Sequence, residues 1–125
     1  MTSKLDKFLT ILKSKPESIE FQDAMTTIAE HYDYTPVQFC NGIKDDLIIN
    51  HAGENEGSCK IFAFAQRLGL TEDETLACFG KYYREDVVQH PQGTDHLNIR
   101  TFMRHGWAGI HFDNQALVPK TTATD

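Results

Sequence analysis

Apolar residues at helical spacing recur along this chain, and each run is cut within a few turns by proline or glycine. Leu5, Phe8, Leu9 and Leu12 fall at i, i+3, i+4 and i+7, with Ser3 ahead of them and Asp6 three residues after it. That spacing predicts an amphipathic helix with a near capping box, ended by Pro16. Ser18 opens a second pattern through Phe21, Met25, Ile28, Ala29 and Tyr32, so the first two runs form a helical hairpin. Pro36 then disfavours helix in the residue before it and breaks the period. A third run, Ile61, Phe62, Phe64, Ala65 and Leu68, follows Ser58-Cys59-Lys60 and closes at Gly69; it is apolar round most of its circumference and belongs at the centre. Thr71 and Glu74 form a capping box for a fourth helix, whose stripe of Leu76, Phe79, Gly80, Tyr83 and Val87 reaches His90-Pro91, a length of about four turns. Thr94 or Asp95 caps a short fifth helix carrying Ile99, Phe102 and Met103, which stops by Gly106.

Between these runs the period is weaker. Asn41-Gly42 fits a type I′ hairpin turn joining residues 37–40 to Ile43-Lys44, although Asp45-Asp46 weakens the second strand. Residues 50–57 are polar with two glycines and read as loop, and residues 107–112 alternate imperfectly, as a terminal strand or extended segment would. The expected architecture is a mainly α, single compact domain of about five helices with at most a small β-hairpin or terminal strand. It spans residues 1–117, with 118–125 as a frayed tail.

Composition supports one domain and removes several functions. At 125 residues with 40% hydrophobic and 24% charged, the chain can bury roughly two thirds of its unfolded surface without a structural metal or disulfide. Twelve Lys and Arg against 18 Asp and Glu leave a net charge of −6, the wrong sign for a phosphate backbone, so no nucleic-acid partner is expected. No stretch approaches the ~20 apolar residues of a membrane span, and the N-terminus lacks the apolar block of a secretory signal. Three cysteines without a CxxC pair point to a reducing compartment.

Two stretches concentrate reactive groups, residues 51–60 and 90–111. Cys59 falls at a helix start, where free N–H groups and the helix dipole favour thiolate. A histidine base follows downstream: His90, His96 beside Asp95, His105 or His111. That order, with Gly57-Ser58 ahead of the cysteine, is similar to papain-type peptidases, although Lys60 replaces their aromatic residue. Cys59, His96 and Asp95 are the candidate catalytic set; the competing reading makes Cys59 a small buried hydrophobe. Distance separates the two, because a nucleophilic sulfur must lie near a histidine nitrogen.

His90, His96 and His105, six and nine residues apart, miss the local spacing of zinc motifs. No metal and no cofactor are expected, with non-local convergence on His51 or Asp95 left open. Arg100 and Arg104, four apart, can hold one carboxylate or phosphate together or bridge to Glu85 or Asp86. Tyr82-Tyr83-Arg84-Glu85-Asp86 reads as a solvated face with Arg84 paired to a carboxylate. The candidate binding residues are His51, Asn55, Arg100, Arg104 and Trp107.

Four long runs carry a family resemblance: Gly57-Ser58-Cys59-Lys60-Ile61-Phe62-Ala63-Phe64-Ala65-Gln66, Leu76-Ala77-Cys78-Phe79-Gly80-Lys81-Tyr82-Tyr83-Arg84-Glu85-Asp86-Val87, His90-Pro91-Gln92-Gly93-Thr94-Asp95-His96-Leu97-Asn98-Ile99-Arg100, and Gly106-Trp107-Ala108-Gly109-Ile110-His111-Phe112. They resemble the HopJ (HopPmaJ) type III effector family over residues 5–112. Residues 43–49 depart from it, being longer and more apolar than the usual loop. The resemblance implies an effector named for delivery by a plant pathogen's type III secretion system and brings no established activity, cofactor or catalytic residue. On that basis the chain is expected to bind a host or bacterial protein through an apolar patch around Trp107 and Phe112 or through residues 51–57. It would reside in the bacterial cytoplasm or be delivered to the host cytoplasm. A helix beginning by Lys4 leaves little chain for a disordered export signal, which favours the cytoplasm. The alternative is a small cytoplasmic hydrolase with Cys59 as nucleophile.

Overall fold

The computed structural model describes residues 4–120, so the expected cap at Ser3 and the tail from 121 onward lie outside the described residues. Each of the five periodic runs contains an α-helix: α1 (Lys4–Ser14), α2 (Phe21–His31), α3 (Glu56–Leu68), α4 (Glu72–Ala77) and α5 (Leu97–His105). Phe62 of α3 is fully buried, its ring 4.9 Å from Phe102, 5.6 Å from Phe79 and 6.0 Å from Phe39. Phe64 on the same helix meets Phe8 and Tyr32 edge-on, each at 5.9 Å. An apolar α3 thus serves as the axis on which the other elements pack, burying aromatic area that dominates core energetics.

The strands outnumber the expectation. Tyr32–Tyr34 (β1) pairs antiparallel with Leu117–Pro119 (β5), and a second sheet runs β3-β2-β4, with Phe39–Asn41 (β2) between Ile48–Asn50 (β3) and His111–Phe112 (β4). Val118 and Pro119, expected in the frayed tail, are therefore strand residues that lie opposite Asp33 and Tyr32. The hairpin exists with a different turn. Asn41 ends the strand opposite Ile48, and residues 42–47 form the connection, with a 3₁₀ turn at Lys44–Asp46. Gly42 has φ +104, and a Cβ there would collide with the Asp46 carbonyl, so this glycine serves the close approach of the long loop to itself.

The fourth helix also departs from expectation. Its capping box forms as read, Thr71 Oγ1 accepting from Glu74 N at 3.0 Å and Glu74 Oε1 from Thr71 N at 2.9 Å. It ends after six residues instead of running to His90. Gly80 breaks it with φ +61, because α2 begins there: a Cβ on Gly80 would stand 2.5 Å from the Phe21 nitrogen. The chain continues as a π-helical turn, Tyr82–Val87. Similarly, Ser18 lies in a 3₁₀ turn and α2 starts later, with the Asp23 carboxylate accepting from Glu20 N at 2.9 Å.

Trp107 and Phe112, expected to form an exposed apolar patch, are largely engaged by the core. The Trp107 indole donates to the Leu70 carbonyl at 3.2 Å and meets Phe102 edge-on, while Phe112 stacks on Phe39 at 5.2 Å. Among the described residues no helix is long and apolar enough to cross a membrane.

Candidate functional site

Three buried asparagines organise one corner of the molecule. Asn50, at the end of β3, and Asn98, in the first turn of α5, exchange side-chain hydrogen bonds at 3.1 and 2.9 Å. Asn41 of β2 donates to Asn98 Oδ1 at 3.0 Å and to the Asn98 carbonyl at 2.9 Å, and Asn55 donates to Asn50 Oδ1 at 2.7 Å. The network joins both strands of the hairpin to the starts of α3 and α5. Each member satisfies another, as buried amides must, and only Asn41 Oδ1 is left without a partner among the described residues of this network.

The two helix starts share an unusual geometry. Asn55 precedes α3 with φ 50 and ψ 50, and His96 precedes α5 with φ 50 and ψ 49. Both are left-handed conformations, which asparagine and histidine adopt more readily than most residues. Neither side chain caps its own helix, since Asn55 turns to Asn50 and the His96 ring to Asp86. Among the described residues, the first N–H groups of both helices have no side-chain acceptor. A cleft of about 510 Å³ opens between these starts, walled by Phe21, Phe79 and Tyr82 and edged by Asn55, Ser58, His96 and Asn98. That size and lining, mostly apolar with a few convergent polar groups, is typical of a ligand site.

On its rim, His96 Nε2 lies 3.0 Å from Asp86 Oδ2 and 3.8 Å from Asp95 Oδ2, with its ring over Tyr82 at 5.2 Å. Arg100 holds this rim from beneath. Its side chain is only 8% exposed and donates to the carbonyls of Asp95 at 2.6 Å, His90 at 2.8 Å and Asp86 at 3.2 Å, and to Asp95 Oδ1 at 2.6 Å. The guanidinium keeps the Asp95 carboxyl below the usual carboxylate range. Arg100 and Arg104 do not converge on one anion. Arg104 reaches Asp46 at 3.3 Å, which also accepts from His105 Nε2 at 2.8 Å. Arg84 pairs at 3.7 Å with Glu20.

Cys59 faces the other way. Because α3 begins at Glu56, Cys59 is its fourth residue and its N–H already bonds the Asn55 carbonyl at 3.0 Å, beyond the free N–H groups of the first turn. The thiol is buried, 4.0 Å from the Val37 carbonyl, and burial raises its pKa, the reverse of nucleophile activation. Its neighbour Tyr34 donates to Glu56 at 2.9 Å, and no histidine is a hydrogen-bond partner of Cys59 among the described residues. Cys78 is also buried, pushed up to about 12 by that burial, and all three cysteines are free thiols.

Of the candidate residues, the structure thus brings together His96, Asp95, Asn55 and Arg100, and leaves Cys59, Arg104 and Trp107 apart from the cleft. His51 lies outside it too, with Nδ1 3.1 Å from Gln38 Oε1. Sequence reasoning placed Tyr82 and Asp86 on a solvated face, with Asp86 open to Arg100 or Arg104, and missed Asn50, Asn98 and Phe21 as site residues. The one available signal was that Asn98 stands beside Ile99 and one turn before Phe102, both buried in the core, which puts an amide where burial demands a partner.

The comparisons with known proteins agree with this architecture. The crystal structure described as that of the unknown function protein VPA0580 superposes with a TM-score of 0.89 at 51% identity, over 96% of this chain and 97% of that one. No curated protein matches the chain. The family model described as HopJ type III effector protein matches residues 5–117, nearly all of the structure just described. The chain belongs to the HopJ type III effector protein family.

Proposed function

We propose that this HopJ family member is a protein-binding module whose recognition element is the cleft between the starts of α3 and α5, and that its partner presents an acidic side chain there. One observation carries the reading: two helix starts without a side-chain acceptor converge on one aromatic-walled cleft. Free N–H groups and the positive ends of two helix dipoles favour a carboxylate, while Phe21 and Tyr82 supply apolar contact around it. The asparagine network supports this by holding both starts in place before a partner arrives, which lowers the ordering cost of binding. Delivery by a type III system, as the family's description has it, would place that partner in a host cell. The hydrolase reading has no comparable support, because its nucleophile is a buried thiol with a raised pKa.

A photo-crosslinking residue tests this when placed at Tyr82, on the cleft wall, and at Ile11, exposed on α1. A discrete protein adduct from position 82 and none from position 11 is the expected result. Equal adducts from both positions, or none from 82, would contradict the reading.

A further inference from the structure

The rim of the cleft carries a second kind of chemistry. Asp86 lies in the π-helical turn and Asp95 and His96 immediately precede α5, so donors ten residues apart in sequence meet in space. One ligand atom from each, Asp86 Oδ2, Asp95 Oδ2 and His96 Nε2, falls within a mutual span of 4.8 Å. We propose that these three side chains form a binding site for a divalent transition ion of the zinc type.

The spacing fits such an ion. Metal–ligand bonds of about 2.1 Å put neighbouring donors about 3.0–3.4 Å apart around tetrahedral or octahedral centres. The histidine nitrogen stands 3.0 Å from one carboxylate oxygen and 3.8 Å from the other. Small rotations of two solvent-exposed aspartates complete the triangle. An imidazole with two carboxylates selects a borderline ion such as Zn²⁺ over Mg²⁺ or Ca²⁺, which prefer all-oxygen shells.

Outside the donor triad, the structure also holds the site in shape. Arg100, more than nine-tenths buried, grips Asp95 Oδ1 and the Asp86 and Asp95 carbonyls, leaving Asp95 Oδ2 turned to His96. Orientation of a ligating carboxylate by a hydrogen bond to its other oxygen is how metal sites are tuned from outside the ligand set. Three protein ligands leave a position for water or for a ligand's own donor. Thr94 lines both the cleft and the recess beside Asp86, His90 and Asp95, so the ion would sit at their boundary. Such an ion could strengthen acceptance of an anionic group, yet the site stands on its own donors and does not rest on the protein-binding reading.

Titration of tag-free protein with Zn²⁺, followed by calorimetry, tests it without any protein partner. One equivalent should bind saturably. Asp86→Asn and His96→Asn, the latter chosen because asparagine tolerates the left-handed backbone, should each weaken binding by about tenfold or more. Asp33→Asn, on β1, should leave it unchanged. On the wild-type chain, Co²⁺ should broaden the amide resonances of Asp86, Asp95 and His96 first. Absence of one-equivalent binding, unchanged affinity in both folded variants, or broadening centred on another histidine would overturn the assignment.

Discussion

The starts of α5 and α3 treat their reactive side chains in opposite ways. At α5, His96 sits outside the helix in a left-handed conformation, its ring accessible and faced by two carboxylates. In α3, Cys59 lies one turn inside, its amide in the helical ladder and its thiol sealed against Val37. The sequence offers both as nucleophile and base of one site. The structure separates them: with α3 starting at Glu56, Cys59 is already inside the hydrogen-bonded ladder, and its place three residues before the buried Phe62 puts it on the core face. A few residues at a helix start thus decide whether a side chain serves chemistry or packing.

The largest expected effect comes from the network that holds both starts. Asn98→Leu strips Asn41 and Asn50 of buried partners, at about 1–3 kcal/mol for each orphaned group, so a loss of about 3 kcal/mol is expected from urea unfolding. A change under about 0.5 kcal/mol would mean that the two starts do not depend on the asparagines.

Arg100→Met acts on the α5 side alone. Its carbonyl partners lie closer to solvent and can take water instead, so a smaller loss of about 2 kcal/mol is expected. The variant also changes the acid limb. The folded pKa of Asp95 is depressed, so its contribution to stability is present above the ordinary aspartate value near about pH 4 and is lost as pH falls through the lower folded value. Removing Arg100 removes that share, so stability should fall less steeply over this window in the variant than in the wild type. Parallel acid limbs would show that Arg100 does not hold the Asp95 carboxylate.

A smaller but sharper effect belongs to the α3 side. Cys59 should alkylate at pH 7 more slowly than a free model thiol while the chain is folded, and at the ordinary rate in urea, as read by mass spectrometry of the peptide containing it. Reaction faster than the model thiol would restore the nucleophile reading and erase the contrast between the two helix starts.

What was legible in the sequence was local. Thr71 with Glu74 and the stop at Gly69 involve residues within a turn of one another, and both form as read. Helix breaking at Gly80 depends on Phe21, nearly sixty positions earlier, and no periodicity reports such an approach. Asn41 and Asn50 read as turn and loop residues because polar side chains in a polar run look solvated; their burial comes from the sheet and α5 closing over them. Asp86 read as a carboxylate on a solvated helix face open to Arg100 or Arg104; in the π-helical turn its carboxylate faces His96 instead, and Arg100 takes its carbonyl. The family resemblance reaches further than the local rules, yet it carries no site, and the cleft exists only in the folded geometry.

The central claim is that the cleft, and not the thiol, carries the function. The most direct measurement compares the crosslinking yield from position 82 in two further backgrounds, Leu97→Trp, which fills the cleft edge from an exposed position, and Cys59→Ala. The account predicts that Leu97→Trp reduces the partner adduct at least about tenfold, the loss of roughly 1.4 kcal/mol or more of binding, while Cys59→Ala leaves it within about twofold of the parent. An adduct lost with Cys59→Ala in a folded protein and retained with Leu97→Trp would contradict it.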